Sequence, residues 1–161
     1  MNEEKIYKPT IIIPCKNEGI YVKQTLDFLL KTEAKEMSKI IVVDDNSNDK
    51  CCSFLKGGLQ AYSQISLVET SGIGASQARN MGARLASDSD ILIFCDAHIS
   101  MQGGWLQSML AAFRNSEISV LCPGIGHFSP EDPAGYGQTW NSDFEVCWLK
   151  RPKEITEVPL A

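Results

Sequence analysis

Short apolar runs alternate with stretches of helical spacing through most of this chain, and this alternation constrains the fold more than any other feature. The apolar runs are rich in β-branched side chains and occupy residues 10–13, 39–43, 65–68, 91–95 and 118–122. Between them, apolar residues recur at intervals of three and four, which predicts helices over 19–31, 49–62, 75–87 and 106–113. Continuous rather than alternating apolar strands are typical of strands covered by helices on both faces. The pattern therefore predicts a mostly parallel α/β sheet.

The alternation ends after the fifth apolar run. Residues 123–161 are rich in Gly and Pro, so we expect an α/β domain over residues 1–122 and a loop-rich segment over 123–161. Within that segment Trp140, Phe144 and Trp148 recur every four residues. A helix there would place the three rings on one face.

Charge, hydropathy and cysteine spacing bound the class of partner and the compartment. The 161 residues carry 15 Lys and Arg against 20 Asp and Glu, a net charge of -5, which argues against nucleic acid because phosphate backbones need a basic face. No apolar run approaches the ~18 residues of a membrane span, and the charged start lacks a signal-peptide core. The six cysteines include no CxxC pair, so neither a zinc site nor a redox motif is indicated. We therefore expect a reduced, cytoplasmic protein.

Polar or turn-forming residues follow four of the five predicted strands. These segments are residues 14–18, 44–47, 71–74 and 96–98. In an open parallel sheet, ligands bind beyond the carboxyl ends of the strands, so we expect the four segments to form one site.

Each segment also has a purely structural interpretation. Asn17 and Glu18 suit the start of a helix, and Gly74 suits a tight turn. Asp44 and Asp45 suit a polar loop that caps the following helix. Two carboxylates directly after a buried strand are nevertheless costly to desolvate without a partner, and this favours a binding site.

Asp96 and His98 are the candidates for metal binding. In an extended segment, residues two apart point to the same side, so a carboxylate oxygen and an imidazole nitrogen converge. That pair suits Mn²⁺ or a similar divalent ion. An isolated DxH is more often a turn Asp with an incidental His, and the other three strand ends are what favour a metal. His127 is the weaker candidate. Arg79, in a helix of small residues, either is exposed or reaches the same edge.

Four stretches, in this order and spacing, resemble the glycosyltransferases of the GT-A fold and the family-2 type. They are residues 13–18, 42–49, 74–82 and 94–98. The DxH in place of a DxD is similar to that of the polypeptide N-acetylgalactosaminyltransferases. Residues 140–148, Pro152 and residues 157–161 resemble the segment that leads to the Gly-Gly acceptor-side motif of those enzymes. The resemblance implies a Rossmann-like GT-A sheet that stops before the acceptor-binding half.

The resemblance also implies individual roles. Pro14 and Cys15 border the nucleotide, Asp45 accepts a hydrogen bond from uracil and Arg79 lies beside the base. Asp96 and His98 contact the ribose and hold Mn²⁺ or Mg²⁺. The implied donor-binding residues are Pro14, Cys15, Asn17, Glu18, Asp44, Asp45, Gly74, Arg79 and Asp96.

A transferase also needs groups that this sequence does not offer. In the family the catalytic base lies further along, beyond Ala161, so we expect weak nucleotide binding without transfer, and self-association through the uncovered edge. The acceptor and the donor base stay open. One alternative is a non-catalytic nucleotide-binding or interaction module. Another is a sugar-nucleotidyltransferase, which would need a Gly-rich basic loop that residues 15–18 do not provide.

Overall fold

A computed structural model describes residues 6–33, 37, 39–101, 103–126, 135 and 138–149 of this chain. The chain divides into two compact units, residues 1–103 and 104–161, and the boundary expected after residue 122 stays a prediction. The first unit contains β1 (Pro9–Cys15), α1 (Tyr21–Thr32), β2 (Lys39–Asp44), β3 (Ile65–Glu69), α2 (Ala75–Leu85) and β4 (Ile91–Phe94). The second contains α3 (Trp105–Ala112), β5 (Gln138–Trp140) and β6 (Val146–Trp148).

The first unit is built on a parallel sheet with the strand order β3-β2-β1-β4. Its two central strands are fully buried: Ile11, Ile12 and Ile13 of β1 and residues 40–43 of β2 have no exposed surface. The edge strands β3 and β4 are only partly buried. Burial on both faces explains why the central strands are unbroken apolar runs. The predicted mostly parallel α/β sheet is confirmed.

Two helices of the first unit pack through different kinds of side chain. Helix α1 buries Val22, Leu26 and Leu29, as its helical spacing predicts. Helix α2 buries the small residues Ala78 and Gly82, and a Cβ added at Gly82 would meet the side chain of Ile12 in β1. The small residues therefore let α2 approach the sheet closely. No helix among the described residues is long and apolar enough to cross a bilayer.

Two predicted elements are wrong. The helix expected over residues 49–62 is instead a pair of 3₁₀ helices, Ser53–Gly57 and Gln60–Tyr62. Gly58 lies between them with a φ of 61°, which ends the first one. The strand expected over residues 118–122 pairs with nothing in the described part of the chain, and Val120 is 86% exposed. An apolar run without a neighbouring strand cannot satisfy a ladder of backbone hydrogen bonds.

Residues 140–148 do not form the helix that would place the three late aromatic residues on one face. Strands β5 and β6 pair antiparallel, and the chain turns between them. The side-chain oxygen of Asn141 accepts two backbone N–H groups of that turn, and Phe144 has a φ of 61°, outside the helical region. Trp140 and Phe144 are mostly exposed. His127, Pro152 and residues 157–161 lie outside the described residues.

Candidate functional site

The loops that follow β1 and β2 are joined by side-chain hydrogen bonds. The backbone N–H of Asn17 donates to Ser47 Oγ at 3.0 Å, and Asn17 Oδ1 accepts the N–H of Asn48 at 2.8 Å. The buried Asp44 accepts the N–H of Ser47 at 2.9 Å through its Oδ1. Asn17 also has a φ of 56°, a conformation that Asn tolerates better than most residues. Asn17 and Asp44 therefore hold the two loops in register.

Asp44 bonds to the loop that follows β2, whereas the next residue, Asp45, holds the loop that follows β3. Its carboxylate accepts the hydroxyl of Thr70 at 2.5 Å and the backbone N–H groups of Ile73 and Gly74 at 2.6 and 2.9 Å. The Thr70 hydrogen bond holds the pKa of Asp45 below its usual range, and the two backbone N–H groups add to this against the opposing effect of burial. The carboxylate is therefore charged at neutral pH and fixed in position.

Strands β1 and β4 separate at Pro14. Their pairing ends at Ile12 and Phe94, with one further bond from the N–H of Cys95 to the Ile12 carbonyl at 3.0 Å. The next donor of a parallel ladder would be the N–H of residue 14, which proline lacks. The missing donor ends the ladder where the loops of the site begin.

A cavity of about 230 Å³ lies at this carboxyl edge of the sheet, and we refer to it as the edge cavity. Its lining residues are Pro14, Cys15, Lys16, Glu18, Asp45, Gly74, Ala75, Ala78, Arg79, Asp96, Ala97 and His98. Eight of the ten residues predicted from the sequence are among them, and Asn17 and Asp44 are not. All four predicted strand ends contribute, because parallel strands bring their carboxyl ends to one edge.

Lys16 is a lining residue that the sequence reasoning did not select. Its Nζ lies 4.0 Å from Asp45 Oδ2 across the edge cavity. The available signal was its place within the 14–18 segment, between residues that were selected. Ala75, Ala78 and Ala97 carry no polar side chain, and no sequence signal distinguishes them from packing residues.

Four of the polar side chains that line the edge cavity form two pairs. Arg79 Nη2 donates to Asp96 Oδ1 at 3.1 Å, and His98 Nδ1 lies 2.9 Å from Glu18 Oε2. The Asp96 side chain is 60% exposed and that of His98 55% exposed, so both pairs are open to solvent. Solvated pairs of this kind contribute little to stability and exchange partners easily.

Thr25 of α1 fixes the segment that carries Asp96 and His98. Its buried hydroxyl donates to the carbonyl of Ala97 at 3.0 Å and accepts the N–H of Ile99 at 3.1 Å. The sequence analysis missed this residue, because a Thr on the buried face of a helix resembles ordinary packing. These two hydrogen bonds join Thr25 to residues that lie 72 and 74 positions further along the chain.

The donor atoms around the cavity fit a divalent cation in chemical type. Glu18 and Asp96 offer carboxylate oxygens and His98 an imidazole, a set that suits Mn²⁺ and, less well, Mg²⁺. In the described residues, however, these atoms do not form a group of three within 4.8 Å of one another. To bind one ion together, Asp96 and His98 would therefore have to leave their present partners, Arg79 and Glu18, and the ion would need a further ligand from another residue.

The chain matches the family model described as "Glycosyl transferase family 2" over residues 10–158. Among curated proteins it is 27% identical over 159 residues to polypeptide N-acetylgalactosaminyltransferase 4 of Mus musculus, covering 89% of this chain and 27% of that protein. It is 30% identical over 142 residues to polypeptide N-acetylgalactosaminyltransferase 11 of Xenopus tropicalis, covering 80% and 23%. The chain thus spans about a quarter of the length of these relatives.

Solved structures give the same fold. A structure of GalNAc-T7 with UDP, GalNAc and Mn²⁺ superposes with a TM-score of 0.71 at 19% identity, covering 94% of this chain and 31% of that one. A mannosyltransferase of Pyrobaculum calidifontis in complex with GDP-Man and Mn²⁺ superposes with a TM-score of 0.58 at 21% identity, covering 76% and 34%. The chain thus has the GT-A glycosyltransferase fold, and it belongs to glycosyl transferase family 2.

Proposed function

We propose that this chain binds a nucleotide-sugar donor, a UDP-sugar, in the edge cavity and forms the donor-binding part of a glycosyltransferase. The observation that carries the proposal is the convergence of Asp45, Arg79, Asp96 and His98 on one cavity in a chain of this family. UDP is favoured because several relatives of this chain are polypeptide N-acetylgalactosaminyltransferases, and a structure of GalNAc-T7 that shares the fold contains UDP. The acceptor is a separate question that these residues do not address.

Asp45 is proposed to recognise the base. A carboxylate has about four acceptor positions, and the bonds from Thr70, Ile73 and Gly74 occupy three. The fourth is available to a ring N–H within the cavity that Asp45 lines. Arg79 is placed beside the base, and Pro14, Cys15, Glu18 and Gly74 border the nucleotide. Asn17 and Asp44 act on binding through the loops that they hold.

The charge of the edge cavity supports a metal-dependent site. Three carboxylates line it, Glu18, Asp45 and Asp96, against two cationic side chains, Lys16 and Arg79. A diphosphate entering such a cavity needs additional positive charge. Asp96 and His98 are the proposed ligands of Mn²⁺ or Mg²⁺. A divalent ion bound there supplies Lewis acidity that stabilises the diphosphate leaving group.

We do not expect this chain alone to transfer sugar. Each carboxylate that lines the cavity already has a partner: Glu18 has His98, Asp45 has its loop and Asp96 has Arg79. A general base has to reach the acceptor hydroxyl, whereas the roles proposed above for these three carboxylates are all on the nucleotide side of the reaction. The same observation favours the second candidate, a nucleotide-binding module without catalysis.

Two further proposals concern the state of the chain. All six cysteines are free thiols, which supports a reducing, cytoplasmic compartment. On the edge strand β4, Leu92 and Phe94 are 40% and 49% exposed, which supports self-association.

The test is calorimetric titration of UDP into the protein with and without Mn²⁺. We expect metal-dependent binding in the wild type and its loss in Asp96→Ala and in His98→Ala. Asp88→Ala removes an exposed carboxylate outside the cavity and is the matched control. Absence of binding to folded protein at millimolar UDP would remove the donor-site proposal. UDP binding that does not depend on Mn²⁺ would support the nucleotide site and contradict the metal site.

A further inference from the structure

Cys15 meets two cysteines that lie more than 30 residues further along the chain, Cys51 and Cys52, at the edge cavity that Cys15 lines. Cys15 ends β1, while Cys51 and Cys52 follow the loop after β2. Their Sγ atoms lie 3.4 Å (Cys15–Cys51), 3.6 Å (Cys15–Cys52) and 3.9 Å (Cys51–Cys52) apart. All three side chains are buried, with exposed fractions of 2%, 7% and 0%. We call this group the three-cysteine cluster.

The absence of a CxxC pair led the sequence analysis to dismiss a metal site. The structure overturns the reason for that dismissal, because the parallel pairing of β1 with β2 brings Cys15 beside a loop that begins 30 residues later. Among the described residues, this cluster is the one group of three His, Cys, Asp or Glu side chains whose ligand atoms all lie within 4.8 Å of one another.

We propose that the three-cysteine cluster is a second metal site, which binds a thiophilic cation of the Zn²⁺ type through three thiolates. It is distinct from the site proposed at Asp96 and His98, whose oxygen and nitrogen donors select Mn²⁺ or Mg²⁺. Three protein ligands leave the fourth tetrahedral position of the ion to a water molecule.

The sulfur spacing fits such an ion without rearrangement of the backbone. The point in the plane of the three sulfurs that is equally distant from all of them lies about 2.1 Å from each, and a Zn–S bond is about 2.3 Å. An ion about 0.9 Å above that plane therefore reaches all three at normal bond length. Regular tetrahedral geometry at this bond length separates two sulfurs by about 3.8 Å, close to the observed edges.

Two carboxylates act on the cluster. Those of Asp44 and Glu18 both act electrostatically on Cys15, and Asp44 is itself buried. The hydroxyl of Ser47 also contacts the cluster, with its Oγ 3.5 Å from Cys51 Sγ. Binding of one dication through three thiolates releases three thiol protons to solvent, so metal binding is coupled to deprotonation of the cluster.

The position of the cluster links it to the loops of the edge cavity. Cys15 lines the cavity and directly precedes the loop after β1, and Cys51 directly follows the loop after β2. The hydrogen bond between Asn17 and Ser47 joins these two loops. A metal held by both loops would fix their spacing. The test of the cluster is made without nucleotide, so its outcome does not depend on the proposed donor site.

The test is titration of the reduced, full-length chain with Co²⁺, under anaerobic conditions, followed by displacement with Zn²⁺. We expect saturation near one equivalent, with a thiolate-to-cobalt charge-transfer band and the visible absorption of tetrahedral cobalt. The band should disappear in Cys51→Ser and in Cys52→Ser. It should persist in Cys122→Ser, which removes an exposed thiol, and in Asp96→Ala.

A second measurement covers the case in which a serine variant does not fold. In urea at a concentration that partly exposes the cluster, Zn²⁺ added to the wild type should slow the alkylation of Cys15, Cys51 and Cys52 by N-ethylmaleimide, as read by peptide mass spectrometry, and should leave Cys122 reactive. The proposal is overturned if folded, reduced wild type shows no charge-transfer band. It is equally overturned if the band survives in both Cys51→Ser and Cys52→Ser, or if alkylation of the cluster is unchanged by Zn²⁺.

Discussion

The replacement of Asp45 by Asn tests the role of this carboxylate as the residue that holds the loop after β3. An amide keeps one acceptor oxygen and puts an NH₂ group where the second oxygen was. If the retained oxygen takes the place that accepts Thr70 and Ile73, the NH₂ group faces the N–H of Gly74, donor against donor. The substitution is nearly isosteric, so packing changes little.

The size of the effect follows from the bonds. A hydrogen bond to a charged group contributes about 1.5–3 kcal/mol, and the variant loses one such bond and the charge on the others. Gly74 is exposed, so water replaces part of the lost bond. We therefore expect the free energy of unfolding to fall by about 2 kcal/mol, which lowers the Tm by roughly 4–8 °C for a chain of this size.

The pH dependence gives an independent check. The folded-state pKa of Asp45 lies below the ordinary value of 3.8, so its ionised form stabilises the fold. That contribution is complete above pH 3.8 and is lost as the pH falls through the folded pKa. The difference in stability between wild type and Asp45→Asn should therefore be largest at neutral pH and shrink in acid.

Urea denaturation, monitored by circular dichroism at neutral pH and at pH values below 3.8, measures both quantities. Asp88→Asn, at an exposed position, is the control for a change in net charge. A variant within about 0.5 kcal/mol of wild type at neutral pH, the range of ordinary surface substitutions, would refute the argument. So would a difference that does not depend on pH.

Two further substitutions probe packing and positioning. Gly82→Ala should reduce the free energy of unfolding, measured in urea, by about 1–3 kcal/mol, because the new Cβ meets Ile12. Gly57→Ala is the control, since a Cβ at Gly57 meets open space and should not destabilise the protein. Equal effects of the two substitutions would contradict the close approach of α2 to β1. Thr25→Val should lower the free energy of unfolding by about 1–3 kcal/mol, because it removes the hydrogen bonds to Ala97 and Ile99. It should also weaken metal-dependent UDP binding in calorimetry, because those bonds position the segment that carries Asp96 and His98. Thr32→Val, whose hydroxyl bonds within its own helix, is the control, and unchanged UDP affinity in Thr25→Val would argue against positioning.

The sequence predicts the sheet well because its strands are defined by local composition. The runs around Ile12 and Ile41 are apolar on both faces, and only a strand covered on both faces has that pattern. The strand ends then follow from topology, since parallel strands deliver their carboxyl ends to one edge. This is why the sequence predicts most of the residues that line the edge cavity.

The sequence-based prediction fails where distant contacts, or the backbone conformation of a single residue, determine the structure. Gly58 and Phe144, with φ near 61°, end regular structure at points that hydrophobic spacing does not reveal. Thr25 acts through the carbonyl of Ala97, a contact 72 residues away that leaves no mark on the local pattern. The local pattern does not reveal the three-cysteine cluster for the same reason, because Cys15 meets Cys51 and Cys52 only through the pairing of β1 with β2.

The strand order also sets when the site can form during synthesis. β4, the last strand of the sheet in sequence, pairs beside β1, the first, so the order along the sheet is not the order of emergence from the ribosome. The pairs Arg79–Asp96 and Glu18–His98 exist only after that insertion, the second across 80 residues. A nascent chain without β4 leaves one edge of the central strand β1 unpaired, and such edges recruit other chains. Non-local closure of this kind is slow, so this interval is when the growing chain is most exposed to aggregation and most dependent on chaperones.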